Sequence, residues 1–460
     1  MNTKEIQLLI LSGSILFLKQ ADTSFLSTLI VKIAKDFHVS EASMSSSILW
    51  YIIGSCIFIP AVAWISKTWS KINVVLITII LFLFSSLVCG MSENVVLFTF
   101  SRFIQGISAS VAYSVSTIML IENSSKKNIV MSIGLSNLPA MIGISSGPVI
   151  GALFTHYISW RYAFYFNIPL CLLLMVFIYF FIKDKVSQSV TENYTEFDFY
   201  GFVTLSFALM LISVGIESFN KAHITTFIYC LSTGAICLLL HFILYKFKDK
   251  NNILKLSVFS DPNFFIGTLI NITSRIGMTG ISIILSIYLQ KYLHLSILKV
   301  GILIAIIFLF GAIAKFFSSL LLKIGLYNSL VLAILLTSIS FLLMENITSL
   351  HLYWFYWIIL SFLGFSMSLL YTVMNSMMLI TIEHREISDA CNIQAIIQQM
   401  FTGIGIVFSM ALLFYINQIT LDLQLSFIYV CRISAAIISS GLIIVFFVKL
   451  KGYRLIKKQH

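Results

Sequence analysis

The sequence predicts an all-α protein that crosses a membrane many times, and three observations carry that prediction. Of its 460 residues, 59% are hydrophobic and 10% charged, with a mean hydropathy of +1.00, whereas a soluble chain carries roughly a quarter charged residues. The apolar residues fall in runs of about 20, the length a helix needs to cross a hydrocarbon core about 30 Å thick. The basic residues fall between those runs, unevenly on alternate sides. Barrel strands would be shorter and alternating, and within lipid a helix is the other way to satisfy every backbone group. A soluble globular enzyme is excluded. The excess of 29 Lys and Arg over 18 Asp and Glu, in a chain with so few charges, points to a membrane surface and away from nucleic acid.

Cutting the chain wherever charge, Pro or Gly clusters interrupt the apolar runs gives about fourteen spans. The first, 6–30, follows residues 1–5 with no small-residue cleavage site before Lys19, and reads as an uncleaved span. Spans two to six are 44–65, 72–91, 96–120, 129–155 and 161–182. The polar stretch 183–198 separates them from 200–217 and 224–245, and a second stretch, 246–262, precedes the last six. Those are 263–289, 296–322, 327–344, 352–380, 392–416 and 427–448. Tyr353, Trp354, Tyr356 and Trp357 at the start of span twelve read as an interfacial aromatic belt. The cluster His384-Arg385-Glu386 reads as a solvated loop. The expected domains are an N-terminal six-helix bundle (1–182), a linker with a central transmembrane hairpin (183–262), a C-terminal six-helix bundle (263–448) and a basic cytoplasmic tail (449–460). Such a layout suits two bundles rocking about a central site.

An even number of spans puts both termini on one side. With the N-terminus taken as cytoplasmic, 18 Lys or Arg lie inside, seven outside, and four (Lys19, Arg102, Arg275 and Lys315) within spans, as the positive-inside rule requires. The seven cysteines are scattered, with no C-x-x-C pair and no His at metal spacing, so neither a disulfide framework nor a metal site is expected. No G-x-x-x-x-G-K-[ST] sequence occurs, so energy from ATP would need a partner.

Span five carries the most specific pattern. Gly134, Gly143, Gly147, Pro148 and Gly151 form G-x8-G-x3-G-P-x2-G. Small residues four apart leave a groove in which another helix approaches closely, and Pro148 removes a backbone hydrogen bond and bends the helix. Simple helix packing is the plainer reading of an isolated GxxxG.

The full pattern resembles the antiporter motif of the major facilitator superfamily, in its fourteen-helix drug:proton antiporter branch of the EmrB/QacA type. Asp22-Thr23 resembles that branch's D-x-T-I-V-N signature, with Ser27 and Val31 standing where Asn and Pro are usual. Arg102-Phe103-Ile104-Gln105-Gly106 resembles R-x-x-Q-G. Trp160-Arg161-Tyr162-Ala163-Phe164-Tyr165-Phe166-Asn167-Ile168-Pro169 resembles W-R-[WY]-x-F-x-x-N-[VI]-P, and Asp198 to Gly201 also fits. The resemblance spans essentially the whole chain. One stretch departs: between spans two and three the superfamily's G-x-L-x-D-R-x-G-R-R becomes Ala63-Trp64-Ile65-Ser66-Lys67-Thr68-Trp69-Ser70-Lys71-Ile72, with Lys67 at the acidic position.

Asp22 is the one acid well inside a span, and an embedded charge is by default a functional hypothesis. It lies roughly 12 Å from the outer end of span one, and Arg102 lies roughly 10 Å into span four, at 1.5 Å per residue. The two are level. Arg102 holding Asp22 ionised in one state, and leaving it to take a proton in another, would couple proton flow to a conformational switch. A static ion pair locking span one to span four is the competing reading. Lys19, one turn before Asp22, is placed to share the same acid. Arg275, one turn from Asn271 in span nine, is a candidate substrate or gating residue; Lys315 is placed to snorkel. Gln105, Tyr371, Asn375 and Gln398 join Lys19, Asn271 and Arg275 as candidates to line a substrate cavity, along with Asn392, Gln394 and Gln399. Interhelical hydrogen bonding is an equal alternative for the polar residues of spans twelve and thirteen.

With four embedded cations against one acid, the expected substrate is anionic, zwitterionic or neutral and lipophilic, although aromatic faces also hold cations. The resemblance implies proton-coupled efflux of small lipophilic molecules across the cytoplasmic (inner) membrane by a multi-pass monomer, both termini cytoplasmic. The proton gradient would supply the energy, with no cofactor. A periplasmic adaptor and an outer-membrane channel are candidate partners. An importer or uniporter in the same fold, and more remotely a non-transporting scaffold or sensor, remain open.

Overall fold

The computed structural model describes residues 2–124, 132, 135–182, 199–220, 224–247, 256–322, 324–347, 353–382 and 386–450. Gly134, Lys183 to Asp198, His384, Arg385 and the tail from residue 451 lie outside the described residues. Among the described residues no strand occurs. The helices of the first unit are α1 (Thr3–Asp36), α2 (Glu41–Thr68), α3 (Lys71–Met91), α4 (Val95–Asn123), α5 (Leu138–Tyr157), α6 (Arg161–Tyr165), α7 (Asn167–Phe181), α8 (Phe199–Asn220) and α9 (Ile224–Phe247). Those of the second are α10 (Pro262–Met278), α11 (Ile281–Lys291), α12 (Ile297–Leu322), α13 (Leu326–Leu343), α14 (Tyr353–Leu379), α15 (Ile387–Thr420) and α16 (Leu423–Leu450). The chain divides into these two compact units between Ile253 and Leu254.

Local chemistry fixes many helix ends. Ser40 and Asn94 cap α2 and α4 by accepting from the backbone N–H of Ser43 (3.1 Å) and Leu97 (2.8 Å), and Asp261 does the same for α10 through Phe264 N (2.9 Å), with Pro262 at the first helical position. Leu421, at φ 53°, ends α15 in the left-handed region. Asp422 then accepts from Gln424 N at 2.8 Å to start α16.

Ten stretches are long and apolar enough to cross a membrane by length and composition, among the described residues; α6 with α7, and α10 with α11, each count as one stretch. Phe199–Ile212 and Thr225–Cys237 are shorter apolar helices. α1 is not among the ten: Lys19, Gln20 and Asp22 dilute its apolar run. Two of the expected spans are not single helices. Span six breaks at Phe166, just before Asn167-Ile168-Pro169, and span nine breaks at Thr279-Gly280. At the second break Gly280 presses against Ser409 and Gly405, leaving no room for a side chain.

The two units repeat one set of pairings. In the first, α1 packs on α5, α2 on α4, α3 on α4, and α1 on α4. In the second, α10 packs on α15, α12 on α14, α13 on α14, and α10 on α14. Close backbone approach recurs with the pairings: Gly106 of α4 meets the carbonyl of Tyr51 in α2, and Gly364 of α14 meets that of Ile307 in α12. The hairpin α8–α9 packs on itself and, through α8, on α2.

Candidate functional site

The centre of the first unit is an ion pair sealed from solvent. Asp22 of α1 and Arg102 of α4 are both 0% exposed, and Arg102 Nη1 donates to Asp22 Oδ2 at 2.5 Å. Two amides complete the acid's shell. Gln105 Nε2 and Asn167 Nδ2 donate to Asp22 Oδ1 at 3.0 and 2.8 Å. Both also donate to Ser86 Oγ of α3, at 2.6 and 3.3 Å, and Gln105 Oε1 accepts from Arg102 Nη1 at 2.6 Å. The Arg102 guanidinium lies 4.3 Å from the centre of the Tyr51 ring of α2, while its Nε and Nη2 have no hydrogen-bond partner. A buried arginine that is stacked and paired on one edge keeps its charge without water. Side chains from α4 and α7 therefore meet at the carboxylate carried by α1, and Tyr51 of α2 and Ser86 of α3 brace them.

The arrangement has a chemical consequence. Every polar group bonded to Asp22 is a donor, so a proton on the acid would find no acceptor among them and would cancel the charge that Arg102 answers. Protonation and the packing of α1 against α4 and α7 are thereby linked through named contacts.

The glycines of α5 hold α1 in place at the height of the acid. A Cβ on Gly143 would lie 3.2 Å from Ala21 N, one on Gly147 would lie 2.8 Å from Ala21 O, and one on Gly151 would lie 2.8 Å from Phe25 Cβ. Ser24 and Thr28 of α1 donate back to the carbonyls of Gly143 and Pro148, each at 3.4 Å. The groove foreseen along this helix thus receives the segment of α1 that carries Asp22. Near the far end of α1, buried Trp160 donates to Asp36 Oδ2 at 2.8 Å and stacks edge-on with Phe37, Phe98 and Phe164.

The remaining candidates distribute as follows. Lys19 is not within ion-pair range of Asp22; its ammonium lies 5.7 Å from the centre of the Tyr113 ring. Gln105 is fully buried in the ion-pair cluster. In the second unit, Arg275 Nε donates to Asn271 Oδ1 at 3.2 Å and Nη1 to Thr402 Oγ1 at 2.8 Å, with the guanidinium 4.5 Å from the centre of the Tyr371 ring. Asn375 Oδ1 accepts from Gln394 and Gln398 at 2.8 and 2.7 Å, an interhelical bridge from α14 to α15. Lys315 is exposed on α12. Sequence reasoning did not single out Ser86, Tyr51 or Thr402, and it named Asn167 only within the W-R-[WY]-x-F-x-x-N-[VI]-P resemblance, with no role at the acid.

Ten apolar helical stretches among the described residues, with a buried ion pair inside the first unit, fit a polytopic membrane protein. The Major Facilitator Superfamily profile matches residues 13–410, and the chain belongs to that superfamily. It is 25% identical over 405 residues to a protein of Haemophilus influenzae named as a transport protein, HsrA, covering 86% of this chain and 85% of the relative. It is 22% identical over 392 residues to a Pectobacterium carotovorum protein named for multidrug resistance, MdtD, covering 85% and 83%. Among solved structures, a POT family transporter in complex with a thioalcohol conjugated peptide aligns with a TM-score of 0.70 at 13% identity, over 98% of this chain and 96% of that one. The xylose transporter XylE from E. coli, in a partially occluded inward open conformation, aligns with a TM-score of 0.62 at 13% identity, over 98% and 99%. At such identities the likeness is one of fold. The protein is a multi-pass membrane transporter rather than an enzyme.

Proposed function

We propose that this transporter exports small lipophilic molecules in exchange for protons, by alternating access, as a fourteen-span member of the EmrB/QacA-type branch. In this reading six-helix bundles at 1–182 and 263–448 flank the central hairpin, both termini are cytoplasmic, and the protein works as a monomer in the cytoplasmic membrane. Asp22 takes and releases the proton, and Arg102 is its counter-ion when the acid is charged. The observation that carries the proposal is the fully buried carboxylate whose polar neighbours are all donors from other helices. Protonating such an acid removes the charge that Arg102 pairs with, and so weakens the contact between α1 and α4. The α5 glycines packed against the same turn of α1, and the naming of MdtD for multidrug resistance, support the export direction.

The test uses purified protein in liposomes loaded with a pH-sensitive dye and challenged with lipophilic anions, zwitterions and cations. Substrate-driven proton movement in the wild type, abolished in Asp22→Asn, is expected. Transport without proton movement in either protein would replace antiport with facilitated diffusion in the same fold.

A further inference from the structure

The second unit holds a cation for which the described residues provide no acid. Arg275 has no carboxylate within ion-pair range, although it sits inside the unit, in contact with α14 and α15. Among the described residues its Nη2 makes no hydrogen bond, nor does the hydroxyl of Tyr371, on whose ring the guanidinium stacks. Asn375, one turn further along α14, uses only its carbonyl, leaving its amide N–H2 unanswered. The backbone around this group is closely packed: a Cβ on Gly405 of α15 would lie 2.6 Å from the carbonyl of Arg275. The arginine is therefore carried on a closely held turn. Arginine is always charged, and a planar fork backed by an aromatic ring is suited to a carboxylate.

We propose that Arg275, with the free donors of Tyr371 and Asn375, forms a carboxylate-binding site, and that the exported molecule is an organic anion with an apolar body. This deepens the export reading above by naming its substrate class. It also fixes the charge movement. One monoanion leaving as one proton enters carries two charges in the same sense, so an interior-negative potential drives the export of an anion.

The test measures equilibrium binding to the purified full-length protein in detergent at pH 7. Probes are straight-chain, aromatic and dicarboxylic acids, each matched by its neutral methyl ester, scored by thermal stabilisation and by thermophoresis. The acids are expected to bind at least tenfold more tightly than their esters. Arg275→Gln should weaken acid binding roughly ten- to a hundredfold, as loss of a hydrogen bond to a charged group does. Tyr371→Phe should weaken it by a smaller factor, and Arg275→Lys should restore part of the loss. Equal binding of acid and ester, failure of every acid in the panel to bind, or acid binding unchanged in Arg275→Gln overturns the proposal. The comparison of acid with ester needs no variant, so it stands even where Arg275→Gln fails to fold. Binding at equilibrium needs no proton gradient. Absence of acid binding by the wild type beside intact Asp22-dependent proton movement sinks this inference alone, and the converse sinks only the antiport reading.

Discussion

Breaking the Asp22–Arg102 pair one partner at a time should destabilise the protein far more per substitution than removing both. The charges are 2.5 Å apart and both residues are 0% exposed. Their Coulombic attraction at that separation is about 6–7 kcal/mol for an effective dielectric of about 20, set against a desolvation cost of several kcal/mol per ion. The intact pair is thus worth little in net terms. Asp22→Asn, however, leaves Arg102 charged and unanswered and turns an amide N–H2 toward the donors of Gln105, Asn167 or Arg102. Arg102→Met leaves the carboxylate with two neutral amides. Each single change should cost about 3–5 kcal/mol. In Asp22→Asn/Arg102→Met both charges are gone and the methionine stem still packs on Tyr51, so the double variant should lose at least about 3 kcal/mol less than the sum of the singles. Equilibrium denaturant titration of the four proteins in the same micelles measures the cycle. Single costs below about 1 kcal/mol that add within about 0.5 kcal/mol would show that the pair is not the energetic centre of the first unit.

Four further outcomes follow from contacts elsewhere in the structure. Gly147→Ala puts a methyl 2.8 Å from Ala21 O and 3.1 Å from Phe25 N, so it should cost about 1–3 kcal/mol and reduce proton-coupled transport. Gly441→Ala, whose methyl meets only the side-chain tip of Ile334 at 3.2 Å, should be near neutral because alanine gains up to about 1 kcal/mol of helix propensity. Asn167→Leu, which removes a donor to Asp22 Oδ1 at similar volume, should cost about 1–3 kcal/mol and slow substrate-driven proton release in liposomes while leaving expression unchanged. Lys71→Ala or Glu122→Ala breaks an ion pair whose acid is half-exposed, and denaturant titration should register less than about 1 kcal/mol.

Helical class and the placement of most helices were legible because apolar runs of the right length admit few other structures in lipid. The interruption at Phe166 has a local cause in Pro169, which has no N–H for the carbonyl of Tyr165 four residues back. The one at Gly280 was not legible, since it depends on Ser409 and Gly405 packing from another helix, which no local period encodes. The depth count put Asp22 and Arg102 at one level, and their side chains touch. The rest of that shell comes from α2, α3 and α7, so Tyr51, Ser86 and Asn167 acquire meaning only once the helices are assembled. Lys19 illustrates the opposite case. Helical spacing places it near Asp22, yet Asp22's oxygens are already taken by three donors, and the lysine lies over Tyr113 instead.

The repeated pairings give the two charged groups corresponding positions in their own units. Asp22 lies on the helix that packs on α5, beside the turn pressed by Gly143 and Gly147; Arg275 lies on the helix that packs on α15, beside the turn pressed by Gly405. Close contact between backbones is a rigid way to hold a helix, since no side chain intervenes to adjust. What differs is how the charge is answered. In the first unit a second helix supplies Arg102, so the acid's charge is answered by the protein itself. In the second, the helix corresponding to α4 supplies Tyr371, which stacks on the arginine without neutralising it. An internally paired acid suits a group that must switch, and an unpaired cation suits a group that must capture. On the proposals made above, the proton is thus handled by the first unit and the anion by the second. Charge-reversing substitutions at the two places should then separate: Arg275→Glu should abolish anion binding at equilibrium without altering the stability cycle of Asp22 and Arg102, and a change in that cycle would contradict the division of labour.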